Sequence, residues 1–129
     1  MTKYLEKYSG KTYALMRIFA GFMFLQHGAR KLFGVLGAEG RVDLASLMGV
    51  GGAIEFFGGL LIMLGLFTGW AAFLASGMMA VAYFKVHFPQ GFWTIQNGGE
   101  LAVMYCFVFL YIASRGDGEW SVGRALGSK

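Results

Sequence analysis

Four long apolar stretches alternate with short polar segments along the chain. The stretches cover residues 12–33, 47–67, 69–88 and 97–114. Each approaches the length of about 20 residues that a helix needs to cross a bilayer, although the fourth is the shortest. Only Thr68 and Gly69 connect the second stretch to the third, which predicts an antiparallel hairpin. The pattern predicts an all-α fold: a four-transmembrane-helix bundle that forms one domain over residues 1–129, with a polar tail at 115–129 packed on its surface.

The composition indicates a membrane protein. Hydrophobic residues make up 57% of the chain and charged residues 14%, whereas a soluble domain carries about 25% charged residues. Lipid is the simplest medium that could cover such a surface. The net charge of +4 does not indicate nucleic-acid binding, because Lys and Arg lie at the edges of the apolar stretches. The single cysteine, Cys106, cannot form an internal disulfide and is predicted to be a packing residue.

The distribution of basic residues predicts an orientation. An even number of spans places both termini on one side of the membrane. That side carries Lys3, Lys7, Lys11, Arg115, Arg124 and Lys129, and the opposite side carries Arg30, Lys31, Arg41 and Lys85. Because basic residues are enriched in cytoplasmic loops, both termini are predicted to be cytoplasmic. Arg17 lies deeper on the terminal side, and its head group is predicted to snorkel to the cytoplasmic surface.

Glycines recur at helical spacing in the first two stretches. They form three rows in which successive glycines lie seven residues apart. Two rows are in the second stretch, namely Gly51, Gly58 and Gly65, and beside them Gly52 and Gly59; the third, Gly21 and Gly28, is in the first stretch. Small residues allow helices to approach closely in lipid. Glu55 lies on the Gly51 row and is therefore predicted to face protein and not lipid.

Seven polar side chains are predicted to converge at one end of the bundle. They are His27, Lys31, Glu55, Lys85, His87, Asn97 and Glu100. Their heights along the helices agree within roughly 10 Å. Ionisable groups in membrane spans are costly, so each is a functional hypothesis by default.

Each of these residues also has a structural interpretation. Asn97 and Glu100 have the spacing of a capping box, and Lys85 could simply snorkel. Glu55 needs a partner or a proton, and Lys31 or His27 on the neighbouring helix is the expected partner. A structural ion pair and a functional carboxylate remain open for Glu55. No metal site is predicted, because the His and Glu residues lack the i, i+3 or i, i+4 spacing of a helical metal motif.

Four segments together resemble one known family. They are RIFAGFMFLQHGARKL from Arg17, EFFGGLLIMLGLFT from Glu55, NGGELA from Asn97 and GDGEWSV from Gly116. This pattern resembles the DoxX family of small four-helix membrane proteins, over almost the whole chain. The family's tail often reads Ser-Leu-Asp, where this chain has Ser121-Val122-Gly123.

The resemblance implies a function linked to redox chemistry. Some DoxX-like proteins are membrane subunits of quinone-linked oxidoreductases. The implied function is a redox-associated subunit with an apolar pocket for a quinone, in which His27, Glu55 or Glu100 exchanges protons and Lys31 stabilises negative charge. Lys85, His87 and Asn97 would form the mouth of the pocket. Because no cofactor motif is present, electrons would come from a partner. The alternative is an accessory or assembly subunit in contact with lipid and with other membrane subunits or further copies of itself. A transporter ranks last, because no continuous polar path is evident.

Overall fold

The computed structural model describes residues 1–127, which form seven helices and no strand. The helices are α1 (Thr2–Glu6), α2 (Ser9–Phe33), α3 (Leu47–Leu64), α4 (Thr68–Gln90), α5 (Thr94–Asn97), α6 (Glu100–Arg115) and α7 (Val122–Ala125). The predicted all-α class is confirmed, and the four apolar stretches correspond to α2, α3, α4 and α6. Lys129, which entered the predicted charge balance, lies outside the described residues.

Helix boundaries differ from the predicted ones where glycine and proline act. Helix α3 ends at Leu64, because Gly65 adopts a left-handed conformation with φ of 71° and so terminates the helix. Helix α4 continues through Pro89, which occupies the start of a final 3-10 turn, where its missing N–H costs little. The turn between α3 and α4 is therefore residues 65–67, which is short enough to keep the two helices adjacent.

Helices α2 and α3 pack antiparallel through glycines. An ideal Cβ on Gly21 would lie 2.7 Å from the carbonyl oxygen of Gly59, and one on Gly28 would lie 2.6 Å from that of Gly52. The contact face of α3 is thus the Gly52 row and not the Gly51 row. Glu55 lies on this face, three residues after Gly52, and is 3% exposed, which confirms that it faces protein.

Helices α4 and α6 form a second antiparallel pair. Ala72 and Ala75 of α4 are fully buried. The Ser76 hydroxyl donates a hydrogen bond of 2.7 Å to the carbonyl oxygen of Cys106 on α6. A hydroxyl that bonds to a neighbouring backbone is typical of helix contacts in an apolar medium, where packing and polar contacts replace the hydrophobic effect.

Aromatic side chains join the two helix pairs. The ring of Phe24 on α2 lies 4.7 Å from that of Phe109 and 5.4 Å from that of Tyr105, both on α6. Phe24 and Phe109 are fully buried. The centre of the protein is therefore an aromatic contact between the first and last long helices.

The outer surface of the helices is strongly apolar. Trp70, Phe84 and Phe107 are each more than half exposed, as are many other large apolar side chains. Within residues 1–127, two helices combine the length and hydropathy of a membrane span, namely Leu47–Leu64 with a mean hydropathy of 1.9 and Thr68–Gln90 with 1.3. A surface of this kind is that of a protein covered by lipid. For α2 and α6, membrane crossing stays a prediction.

The prediction for Arg17 is wrong. Its side chain is fully buried and does not snorkel. One terminal nitrogen, Nη1, donates to the carbonyl oxygens of Ile62 at 2.8 Å and Met63 at 2.9 Å, and the other, Nη2, donates to those of Glu119 at 3.1 Å and Trp120 at 2.8 Å. The end of α3 leaves carbonyls without intrahelical donors, and Arg17 supplies the donors that this end and the tail both need.

The tail is also more integrated than predicted. It folds back against the turn between α3 and α4, and Asp117 and Ser121 are buried. The Asp117 carboxylate accepts a bond of 3.3 Å from the backbone N–H of Thr68, and the N–H of Gly123 donates to the carbonyl oxygen of Gly65 at 2.9 Å. Residues 116–123 thus close one end of the structure and are not a surface appendage.

Candidate functional site

Two π-helical segments interrupt the long apolar helices at the predicted polar end. In α3 the segment is Ile54–Gly58 and contains Glu55; in α4 it is Tyr83–His87 and contains Lys85 and His87. A π segment inserts an extra residue into a helical turn and is frequent at functional sites, because it changes the direction of the side chains it carries. The sequence gives no signal for either segment.

The first polar group is a buried ion pair between α2 and α3. The Lys31 ammonium group donates to Oε1 of Glu55. The Glu55 side chain is 4% exposed and that of Lys31 is 28% exposed, so the pair reaches from the helix interface to the surface. Gly52 makes this possible, because an ideal Cβ there would lie 3.0 Å from the Cβ of Lys31. Of the two partners predicted for Glu55, Lys31 and His27, the structure shows Lys31.

His27 lies one helical turn before Lys31. It packs against the protein interior and also lines two cavities. Its imidazole is half-buried and meets the ring of Tyr105 edge-on, with 6.2 Å between the ring centroids. Neither ring nitrogen forms a hydrogen bond within residues 1–127. A histidine with free nitrogens can donate to or accept from a ligand near neutral pH.

The two cavities share His27 and Arg30. The larger has a volume of about 470 Å³ and is lined by Phe22, Leu25, Gln26, His27, Arg30 and Leu36. The smaller, of about 230 Å³, is lined by His27, Arg30, Lys31, Ala38, Gly40 and Val42. The loop after α2 covers the smaller cavity, because the N–H of Val42 returns to donate to the carbonyl oxygen of Lys31 at 2.8 Å. The arrangement offers an apolar wall beside a basic, partly covered mouth.

Arg30 is a lining residue that sequence reasoning missed. In the sequence it stands out only as one of the basic residues on the side opposite the termini. Its position three residues after His27 was the available signal, because residues at i and i+3 share a face of a helix.

The second polar group lies between α4, α5 and α6. Asn97 is 3% exposed, and its amide group donates to the Tyr83 hydroxyl at 3.1 Å and to the carbonyl oxygen of Gly91 at 2.9 Å. Nδ1 of His87 lies 3.1 Å from the carbonyl oxygen of Asn97. A cavity of about 250 Å³ lies beside Tyr83 and is also lined by Cys106. This group orders the chain between the two helices.

The predicted capping box at Asn97 and Glu100 is wrong. The residue that precedes α6 is Gly99, and the Asn97 side chain accepts instead from the N–H of Gly99 at 2.8 Å. A hydrogen bond from an asparagine side chain to the backbone N–H two residues later forms the local turn that asparagine favours. The Oδ1 atom, which an N-cap would use as its acceptor, is thus bonded to the N–H of Gly99, and no side chain of the described residues caps α6.

The seven predicted site residues therefore divide into two groups. Lys31 pairs with Glu55, and His27 lies on the same face of α2. His87 and Asn97 lie together at the other helix pair, and Lys85 on α4 and Glu100 on α6 belong to this second group by position. Lys85 and Glu100 are exposed, and neither forms an ion pair in the part of the chain described. In that same part, no three His, Cys, Asp or Glu side chains are placed to hold a metal ion. The catalytic and pocket roles of these residues stay predictions.

Comparison with known proteins identifies the family. The DoxX family model matches residues 12–88, which include α3, all but the start of α2 and all but the end of α4. The chain belongs to the DoxX family. An "Uncharacterized protein" of Haemophilus influenzae is 43% identical over 121 residues, which cover 88% of this chain and 90% of the relative. No solved structure matches the chain. The DoxX match and the apolar helices together indicate a DoxX-like membrane protein.

The DoxX region contains the first polar group completely. Residues 12–88 include His27, Lys31 and Glu55 as well as Lys85 and His87, but they end before Asn97 and Glu100. The cavities at His27 and the ion pair are thus part of the matched region. Family membership by itself does not assign a reaction to them.

Proposed function

We propose that this DoxX protein is a redox-associated subunit of a bacterial inner membrane, and that the cavities at His27 hold a quinone-type molecule. The observation that carries the proposal is the position of His27. Its imidazole lines two cavities, one with an apolar wall and one with a basic opening. His27 also lies on the same face of α2 as Lys31, which forms the ion pair with Glu55. A ligand site of this type combines apolar walls with a few placed polar groups.

The residues present fit the two parts of a quinone. Phe22, Leu25 and Leu36 supply an apolar wall for the ring and its tail. His27 and Arg30 supply groups that can donate hydrogen bonds to quinone oxygens. The larger cavity, at about 470 Å³, falls within the range of small-molecule sites, about 300–1,000 Å³.

The ion pair gives the site its charge and proton chemistry. A quinone becomes a quinol by taking up two electrons and two protons, and here the electrons come from a partner protein. His27 and Glu55 exchange the protons, because both can hold a proton and give it up. Lys31 stabilises the negative charge that develops on the quinone oxygen. Roles for His87, Asn97, Lys85 and Glu100 belong to the second group and are not needed for this step.

The proposal includes the predicted topology. All four long helices cross the membrane, both termini lie in the cytoplasm, and the site lies at the opposite surface. The charge balance supports this orientation, and the closed end formed by Arg17 and the tail lies on the cytoplasmic side. Helix α6, with 16 residues, is short for a span and is accommodated by local thinning of the bilayer.

One observation favours the alternative of an accessory subunit. An ideal Cβ on Gly58 of α3 or on Gly77 of α4 would meet no atom of the described chain within 4 Å. Small residues on an open helix face allow the helix of another subunit to approach closely. Purification in mild detergent separates the two functions: a stable monomer or homodimer that binds quinone argues against a purely assembling role.

A binding titration tests the proposed function. Purified protein is titrated with a short-chain benzoquinone, and binding is followed by quenching of tryptophan fluorescence. We expect saturable binding that weakens about tenfold in Glu55→Gln, the effect of one hydrogen bond or charge contact. The matched control is Glu100→Gln, in the exposed acid of the second group, which should bind as the wild type does. Absence of saturable binding, or equal binding by Glu55→Gln, would contradict the proposal.

A further inference from the structure

The hydroxyl of Tyr105 is a buried polar group without a partner. Tyr105 lies on α6 and is 5% exposed. Its hydroxyl oxygen is fully buried and forms no hydrogen bond within the described residues. Leaving such a group unsatisfied destabilises the fold, and buried tyrosine hydroxyls usually have a partner. An orphan hydroxyl inside a helical protein therefore calls for an explanation.

The surrounding rings fix the position of this hydroxyl. The Tyr105 ring stacks on Phe109 with an interplanar angle of 8° and 5.3 Å between the centroids. It also packs against Phe24 of α2. These contacts hold the ring in one orientation, because closely packed interiors leave few alternative rotamers. The partner must therefore come to the hydroxyl.

His27 connects Tyr105 to the cavities. The imidazole meets the Tyr105 ring edge-on and also lines both cavities. Lys31, which pairs with Glu55, lines the smaller of the two cavities. His27 is thus the residue that links Tyr105 to the ligand space and to the Lys31–Glu55 pair. No hydrogen bond of His27 within residues 1–127 opposes a turn of its ring.

We propose that the Tyr105 hydroxyl is a ligand-binding group of this site and donates a hydrogen bond to an oxygen of the bound quinone after His27 turns aside. This inference rests on the proposed function and deepens it, since it adds a residue from α6 to a site otherwise built on α2 and α3. The site then includes residues of both helix pairs. The buried Tyr105 hydroxyl, which has no partner in the free protein, forms its hydrogen bond with the quinone oxygen.

The variant Tyr105→Phe tests the inference because it should weaken quinone binding without lowering the stability of the fold. It removes only the hydroxyl and retains the packed ring. Because the hydroxyl has no partner in the free protein, its loss should leave the thermal unfolding midpoint in detergent unchanged or higher. Loss of one hydrogen bond to the ligand should weaken binding of a short-chain benzoquinone about tenfold, or about 1.4 kcal/mol.

The control is Tyr111→Phe, on the same helix. Its hydroxyl lies at the other end, where Arg115 donates to it at 3.3 Å, so quinone binding should not change. If Tyr105→Phe binds as tightly as the wild type while Glu55→Gln binds weakly, the Tyr105 inference is overturned and the proposed function stands. If the wild type shows no saturable binding, both are overturned. A lower unfolding midpoint in Tyr105→Phe would mean that the hydroxyl has a structural partner, and this too would overturn the inference.

Discussion

Replacing Arg17 by Met tests the interpretation of the closed end of the protein. The variant keeps an unbranched apolar side chain of similar length but removes all the donors that Arg17 gives to α3 and to the tail. Four hydrogen bonds are lost, to the carbonyl oxygens of Ile62, Met63, Glu119 and Trp120. These carbonyls belong to segments up to 103 residues away in sequence. We therefore expect both a less stable fold and a looser tail.

The magnitude follows from two opposing contributions. A hydrogen bond to a charged group contributes about 1.5–3 kcal/mol, so four of them set an upper bound of about 6–12 kcal/mol. Burial of a guanidinium group costs several kcal/mol, which the variant regains. Breaking a buried charged contact typically destabilises by about 3–5 kcal/mol, and we expect the Arg17→Met variant to fall in that range.

Two measurements check this expectation. Thermal unfolding in mild detergent, followed by circular dichroism, should show a lower midpoint. Trypsin should cut faster after Arg124, because the tail opens locally when Arg17 no longer holds Glu119 and Trp120. Arg17→Lys keeps the charge but has no planar fork to reach four carbonyls, so it should be intermediate. The control is Arg41→Met, in an exposed arginine, which should behave as the wild type.

One result would refute the reasoning. If Arg17→Met unfolds at the temperature of Arg41→Met and its tail is cut no faster, the carbonyl contacts do not hold the closed end together. The tail would then be fixed by its other contacts, among them the bond from the N–H of Gly123 to the carbonyl oxygen of Gly65.

Two further changes test the helix interface and the ion pair. Gly59→Val should prevent the close approach of α2 and α3 and lower the yield of folded protein on size-exclusion chromatography, because a Cβ there would lie 2.7 Å from backbone atoms of α2. Gly58→Ala, with open space at the Cβ position, should elute normally. Lys31→Met should destabilise the fold by about 3–5 kcal/mol, because it leaves the Glu55 charge buried and unpaired. Adding Glu55→Gln should restore most of the loss in thermal unfolding, and no recovery in the double variant would argue against a charged pair.

The sequence predicted the helices well because their signals are local. Apolar runs of sufficient length and the short polar segments between them are properties of neighbouring residues. The pairing of Lys31 with Glu55 was also predictable, because both lie at the same height on helices joined by one loop. The boundaries of α3 and α4 were harder to predict than the helices themselves. A proline, for example, can begin a final 3-10 turn as well as end a helix.

Contacts that depend on helix rotation and on chain return could not be predicted. The sequence offered two glycine rows on α3, and only the packed structure selects the Gly52 row for α2. The division of the seven polar residues into two groups has the same origin: their heights agree, but they belong to different helix pairs. The π segments at Glu55 and at His87 shift these faces further.

The sequence by itself determined an all-α membrane protein of the DoxX family with a buried Glu55, because hydropathy and spacing within a helix are local properties. Only the tertiary structure decided that Arg17 has hydrogen-bond partners and that the Tyr105 hydroxyl has none among the described residues. Arg17 is buried because the tail returns across 102 residues to cover it, and Tyr105 is unpartnered because aromatic packing between α2 and α6 encloses it. Both outcomes arise from segments distant in sequence that meet in space, and no pattern within a single helix contains that information.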